Sequence, residues 1–379
     1  MRVPVCIPVV PKNAETYVTE VIRKNWVSAL CLDEEVNFIK KLEDGFAAYI
    51  GVKYGTTTTS GSTALDLAVA TLGIGTGNEV IMPAFTMIAT ANAVIHNGAK
   101  PVFVDADEET WCISPSRIEE SITERTKAII PVHIYGHPAD MDEINAIAKK
   151  YNLFVIEDAA EAIGTQYKGK NAGSLSDIAC FSFYANKVIT SGEGGILVTD
   201  NDDFAQRARR LKDQAFGTPR FIHEEIGFNF RMNNLTAAYA YASFEEVEEY
   251  VQKRRRNAAL YTQGLSGIDG IILPPEKDYA RNSYWMFGIL IDQEIFGFSK
   301  DEVRKSLKEN HGIDTRDFFY PLHKQPAILK RAYVDPDASM PVSERLWSQG
   351  LYLPSSTNLT EEQIDYIVDA IRKIKKLSN

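Results

Sequence analysis

The sequence predicts an α/β fold with a mostly parallel sheet, followed by a smaller C-terminal α/β unit. Three observations carry this reading. From about residue 52 to 200, strand-like runs at 79–82, 101–104, 128–132, 154–156, 178–183 and 195–198 alternate with helical segments. Strands alternating with helices imply a parallel sheet covered on both faces. Beyond residue 245 the pattern changes to a long charged helix, a strand and two well-capped helices.

Taken in order, residues 141–151 read as a helix with Ile144, Ile147 and Ala148 on one face. Residues 245–260 read as the charged helix joining two domains, and 283–291 as a strand. Ser299-Lys-Asp-Glu302 is a capping box, with Phe298 and Val303 placed for a hydrophobic staple and Gly312 for the C-terminal stop. Thr360-Glu-Glu-Gln363 is a second capping box. It opens a helix whose Ile364, Ile367, Val368 and Ile371 share a face. The expected division is an N-terminal arm (1–25), a large domain (26–245), and a linker helix with a small domain (246–379).

Composition narrows the function. The 379 residues are 45% hydrophobic and 24% charged, enough for a sizeable core and unlike a disordered chain. The net charge of -10 argues against general nucleic-acid or anionic-membrane binding, so an anionic ligand needs a local site. The four cysteines, Cys6, Cys31, Cys112 and Cys180, form no C-x-x-C pair, which fits a reducing, cytoplasmic setting. The first residues lack a signal-peptide core, and no apolar run approaches membrane-spanning length.

The most informative stretch is Phe181-Ser-Phe-Tyr-Ala-Asn-Lys187-Val-Ile-Thr190, which runs into the glycine-rich 191–195. A lysine ending an apolar run is partly desolvated, so its neutral amine is accessible for Schiff-base chemistry. Thr59-Ser60-Gly61-Ser62-Thr63 precedes a helix whose Leu65, Ala68, Val69 and Leu72 recur at helical spacing. Free amides and the helix dipole make such a start an anion site, although the same residues also serve as an ordinary N-cap. Asp158 follows an apolar strand, where ligands gather in parallel sheets. It suits either an N-cap or a partner for a pyridinium nitrogen. Ser182, five residues before Lys187, shares its pocket if the chain curls after the strand; otherwise it is a buried serine bonded to backbone.

His133 and His137 are four apart, but Gly136 and Pro138 break a helix there, so a turn is expected and no metal centre. The basic run 253–256 follows acidic residues 245–249 on one helix and reads as charge-balanced pairs on a solvated face.

Together these residues resemble the pyridoxal-phosphate enzymes of the aspartate-aminotransferase fold (fold type I), and more narrowly the DegT-type nucleotide-sugar aminotransferases. The matching runs include Ser60-Gly-Ser-Thr-Ala-Leu65, Pro83-Ala-Phe-Thr86, Pro101-Val-Phe-Val-Asp105, Glu157-Asp-Ala-Ala-Glu161 and Phe181-Ser-Phe183 with Lys187. Gly192-Glu-Gly-Gly195, Gly227-Phe-Asn-Phe-Arg-Met232, Thr315-Arg316 and Phe319-Tyr-Pro-Leu-His323 extend the match to nearly the whole chain. Each run is weak; their joint order is specific.

The resemblance implies roles. Lys187 would hold the cofactor as a Schiff base and shuttle the proton, with the cofactor passing through its pyridoxamine form in turnover. Asp158 would pair with the pyridine nitrogen, and Glu161 would lie on the ring's hydroxyl side. Ser60, Gly61, Ser62 and Ser182 belong to the phosphate site. Asn229 would reach a neighbouring subunit's cofactor, implying a homodimer with shared sites. Arg231, Arg316, Tyr320 and His323 are the expected contacts to the nucleotide sugar. Met87 stands where the family usually has a ring stacked on the cofactor, so a polarizable thioether takes that place. Ser62 replaces a common threonine and keeps the hydroxyl. On this fold, sugar dehydratases carry histidine at the lysine position, so Lys187 points to transamination.

Within the family, His133-Ile-Tyr-Gly-His-Pro138, Asn186–Lys187 and Thr190-Ser-Gly-Glu-Gly-Gly195 are similar to GDP-perosamine synthases. These aminate C4 of GDP-4-keto-6-deoxymannose, with L-glutamate as donor, for O-antigen or surface polysaccharide. The same catalytic set serves viosamine-type enzymes acting on dTDP- or UDP-4-keto-6-deoxyglucose, and C3 aminotransferases. A regulator retaining the fold is the non-enzymatic alternative.

Overall fold

The computed structural model describes residues 1–377. Seven strands form the large sheet: β1 (Tyr54–Thr58), β2 (Glu79–Pro83), β3 (Lys100–Val104), β4 (Thr126–Ile129), β5 (Phe154–Asp158), β6 (Ile178–Ser182) and β7 (Gly195–Thr199). Their order is β1-β7-β6-β5-β4-β2-β3. The run from β3 to β6 is parallel, while β7 is antiparallel to both neighbours. The sheet is therefore mostly parallel, as expected.

Every residue of β6 is buried, and its side chains alternate between two cores with the two-residue period of a strand. Ala179 and Phe181 join the core beneath α1 (Ala14–Arg23), α2 (Phe38–Ile50) and α6 (Asn234–Phe244). Ile178 and Cys180 face the core holding α3 (Gly61–Thr71) and α4 (Ile88–His96). Helix α5 (Met141–Tyr151) buries Met141, Ile144 and Ala148.

The small domain is built on α7 (Val247–Leu265) and a four-stranded antiparallel sheet, with β8 (Ile271–Ile272), β9 (Gly288–Ile291), β10 (Arg316–Asp317) and β11 (Gly350–Tyr352) in the order β8-β9-β11-β10. Helices α8 (Lys300–His311) and α9 (Glu361–Lys376) cover it, each opened by the expected capping box. Val303 is buried, Phe298 packs in the same core, and Gly312 caps α8 at φ 67°.

Three local expectations need correction. Strand β1 was not foreseen, because the threonine-rich 54–58 carries little apolar signal. The strand expected at 128–132 pairs as Thr126–Ile129, and Val132 makes only an isolated bridge to Asp158. The strand expected at 283–291 shrinks to Gly288–Ile291. Its first residues dock on the large domain instead: Ser283 N donates to Gly136 O at 3.3 Å, and Thr165 Oγ1 donates to Ser283 Oγ at 2.9 Å. Gly136 permits this approach. Its φ is +103°, and a Cβ there would lie 2.7 Å from both Asn282 Oδ1 and Ser283 Oγ.

The N-terminal arm is tied to both domains. Val3 bonds Gly312 and Asp314 of the small domain, while α1 packs on α6.

Candidate active site

β6 ends at Ser182, and the chain then curls so that Lys187 N donates to Tyr184 O at 2.9 Å. That turn puts Ser182 and Lys187 on one cavity of about 390 Å³. Ser60, Gly61 and Ser62 at the start of α3, and Met87 before α4, line the same cavity. Asp158 and Glu161, at and beyond the end of β5, also line it, as does Arg316 of the small domain. The site thus lies at the carboxyl ends of the parallel strands.

Helix α3 has a complete capping box: Ser60 Oγ accepts from Thr63 N at 3.1 Å, and Thr63 Oγ1 accepts from Ser60 N at 2.9 Å. The amides of Gly61 and Ser62 are the first of the helix and have no intrahelical acceptor. Gly61 lies against Ser182; a Cβ at this position would fall 2.7 Å from the serine Cβ.

Asp158 is buried. Its Oδ2 accepts from Thr90 Oγ1 at 2.7 Å and its Oδ1 from Ala160 N at 3.2 Å. Burial raises its pKa, against the pull of Thr90, Ala160, Lys187 and His133. Glu161 Oε2 accepts from Tyr135 N at 2.8 Å. Burial raises this carboxyl to about 7, opposed by Lys187 and aided by Asp158. Lys187 is half-buried. Desolvation lowers its amine to about 8, opposed by Glu161 and Asp158 and aided by Arg254. The neutral amine expected from the sequence is thereby accessible near neutral pH.

A buried pair supports the end of β5. His133 Nδ1 accepts from Ala139 N at 3.1 Å, which leaves its Nε2–H to donate to Glu157 Oε2 at 2.8 Å. Glu157 also accepts from Gly173 N at 2.7 Å, Leu175 N at 2.9 Å and Ser176 Oγ at 2.7 Å. Desolvation pushes its carboxyl up, but these donors outweigh it and the pKa is lowered. His137 bonds Pro138 O through Nδ1 and Lys277 N through Nε2. Residues 134–136 form the expected turn. Among the described residues no group of three His, Cys, Asp or Glu could hold a metal.

Four of the expected residues do not line this cavity. Asn229 is exposed and bridges Asp213 by backbone. Arg231 pairs with Asp213 and lines a separate cavity of about 480 Å³ with Arg209, Lys212 and Arg220. The cause is backbone pairing: Phe228 N donates to Leu211 O and Phe230 N to Lys212 O, which pins this segment along 211–214. Tyr320 packs edge-on against Trp347 at 4.8 Å. His323 is wholly buried, with Nε2 2.8 Å from Glu344 Oε1. The expected substrate contacts of Arg231, Tyr320 and His323 are therefore not met within one chain's own cavity.

Sequence reasoning missed Thr90, Trp285, Tyr352 and Arg254. Trp285 and Tyr352 line the cavity from the small domain. Arg254 corrects the solvated-face reading of 253–256. Its neighbours Lys253 and Arg255 do pair with Glu249 and Glu276, but Arg254 is only 3% exposed. No local motif marks these residues.

The model of the DegT/DnrJ/EryC1/StrS aminotransferase family matches residues 10–372. The chain belongs to this family. It is 40% identical to the GDP-perosamine synthase of Escherichia coli O157:H7 over 98% of both chains. It is also 39% identical to the UDP-N-acetyl-3-dehydro-alpha-D-glucosamine 3-aminotransferase of Acidithiobacillus ferrooxidans, over 88% of both. Among solved structures, S. venezuelae DesV in complex with a ketimine intermediate superposes with a TM-score of 0.89 at 33% identity, covering 96% of this chain and 94% of that one. The protein is thus a pyridoxal-phosphate-dependent sugar aminotransferase of fold type I. The cavity fits that cofactor: it combines an amine of lowered pKa, a buried carboxylate and the free amides of a helix start. No helix among the described residues is long and apolar enough to cross a membrane.

Proposed function

We propose that this aminotransferase moves an amino group from L-glutamate to C4 of a nucleotide-linked 4-keto-6-deoxysugar, turning GDP-4-keto-6-deoxymannose into GDP-perosamine. The observation that carries the reading is the 40% identity to a GDP-perosamine synthase over 98% of both chains, with Lys187, Asp158 and the α3 start gathered on one cavity.

When bound, pyridoxal phosphate supplies a carbonyl and an electron-withdrawing ring. Lys187 Nζ would hold that carbonyl and, once free, would serve as the base that moves a proton. Asp158, held by Thr90, would pair with the ring nitrogen and favour its protonated form. Glu161, which lines the same cavity, would face the hydroxyl side of the ring. The Gly61 and Ser62 amides with the hydroxyls of Ser60, Ser62 and Ser182 would receive the phosphate, and Met87 would cover the ring. Arg316 carries positive charge to the mouth of the cavity, where an anionic diphosphate would pass. Asn229 and Arg231 serve the site of a second copy, which explains why neither faces its own cavity and makes the working unit a homodimer.

A C3-amination reading is favoured by the relative that acts on a UDP-linked 3-dehydro sugar. A screen of GDP-, UDP- and dTDP-linked ketosugars with glutamate separates the two. We expect the GDP-4-keto sugar to be converted. Conversion of only UDP or dTDP substrates overturns the perosamine assignment.

A further inference from the structure

Arg254 lies midway along α7 and is buried without an ion-pair partner among the described residues. A buried guanidinium is normally compensated by a carboxylate. Here its donors go instead to neutral acceptors from three separate segments. It donates to Asn186 O at 3.3 Å and to Lys187 O at 3.5 Å. It donates to Trp285 O at 2.5 Å and to Thr357 Oγ1 at 3.1 Å. Trp285 closes the circuit, because its Nε1 donates to Asn186 O at 2.9 Å.

We propose that Arg254 is a positioning residue for amino transfer, holding the Lys187 turn and Trp285 in one fixed relation. Its planar fork spreads three nitrogens over the three segments, Nη2 on the Asn186 and Lys187 carbonyls, Nη1 on Trp285 O and Nε on Thr357 Oγ1, which a point charge cannot do. The arrangement also crosses the domain junction, since Lys187 belongs to the large domain and α7, Trp285 and Thr357 to the small one. The guanidinium adds a second effect, because its charge disfavours the ammonium form of Lys187. The charged groups facing that amine are Glu161, Asp158 and Arg254; Cys6 is the titratable group facing Arg254.

The proposal rests on Lys187 being the reacting amine, and two variants test it separately from that assignment. In cofactor-free protein, the pH midpoint of Lys187 acetylation, read by peptide mass spectrometry, should rise toward the ordinary lysine value in Arg254→Met. It should stay near wild type in Arg254→Lys, which keeps the charge. In the loaded enzyme, Arg254→Lys should lose about 100-fold in kcat with little change in KM for the sugar, the loss expected of a misplaced reacting group. A merely structural arginine would lower the melting temperature without moving the midpoint or splitting kcat from KM. If Arg254→Met does not fold, Arg254→Lys decides alone. A folded, loaded Arg254→Lys enzyme with wild-type kcat overturns the proposal. Turnover persisting in Lys187→Ala would instead overturn the lysine's role and leave the acetylation result standing.

Discussion

The amine of Lys187 lies 3.5 Å from the centroid of the Trp285 ring, across the junction of the two domains. A ring face favours the ammonium form, whereas desolvation, the main cause of the lowered pKa, favours the free amine. The balance keeps the amine convertible between both forms near neutral pH. Lys187→Ala should abolish turnover and the absorbance of lysine-bound cofactor. Full transaminase activity in that variant would remove Lys187 from the mechanism.

Thr90→Val deletes the hydroxyl that donates to Asp158 Oδ2 at 2.7 Å. A buried carboxylate that loses a donor costs about 1–3 kcal/mol. Its pKa, already raised by burial, should climb further because Thr90 holds it down. The expected result is a kcat reduced about tenfold, in line with a loss of about 1.4 kcal/mol in the transition state, with the fold retained by circular dichroism. Unchanged kcat would show that the hydroxyl does not support Asp158.

Glu161 and Lys187 give the cofactor-free protein opposite pH trends. Glu161 has a folded pKa of about 7 against the ordinary carboxyl value of 4.5. Its contribution is present below the lower value and lost as pH rises through 7. Lys187 has a folded pKa of about 8 against 10.5, so its contribution is present above the higher value and lost as pH falls through 8. Melting temperatures should therefore show Glu161→Gln flattening the acid-side slope and Lys187→Met the alkaline one. Parallel curves for wild type and both variants would contradict the shifts.

Gly61→Ala places a Cβ 2.7 Å from Ser182 Cβ, where α3 meets the end of β6. Overpacking of this kind costs about 1–3 kcal/mol. Separation of the two elements should weaken cofactor affinity about tenfold, which is about 1.4 kcal/mol. Titration of the cofactor-free protein measures it; wild-type affinity would mean that the contact relaxes at no cost to the site.

Much of the site was legible because its residues sit on local signals. Ser60-Gly61-Ser62 precede a helical repeat, Asp158 ends an apolar run, and Lys187 closes another. Trp285, Tyr352 and Thr90 gave no such signal, since nothing beside them in the chain marks a cavity. Arg254 was misread for a related reason. Its flanking charges do pair at the surface, and only the packing of α7 against the Lys187 turn separates it from them.

Order along the chain was enough for the α/β class, the two capped small-domain helices, the family and the lysine chemistry, because hydrophobic period, caps and short motifs are all local. Folding in three dimensions decided which residues share the cavity. It brought Trp285, Arg316 and Tyr352 to Lys187 from the small domain and left Asn229 and Arg231 on another face. Those placements depend on how the turn after β6, α7 and the 282–285 segment pack together, and such long-range contacts leave no local trace in the sequence.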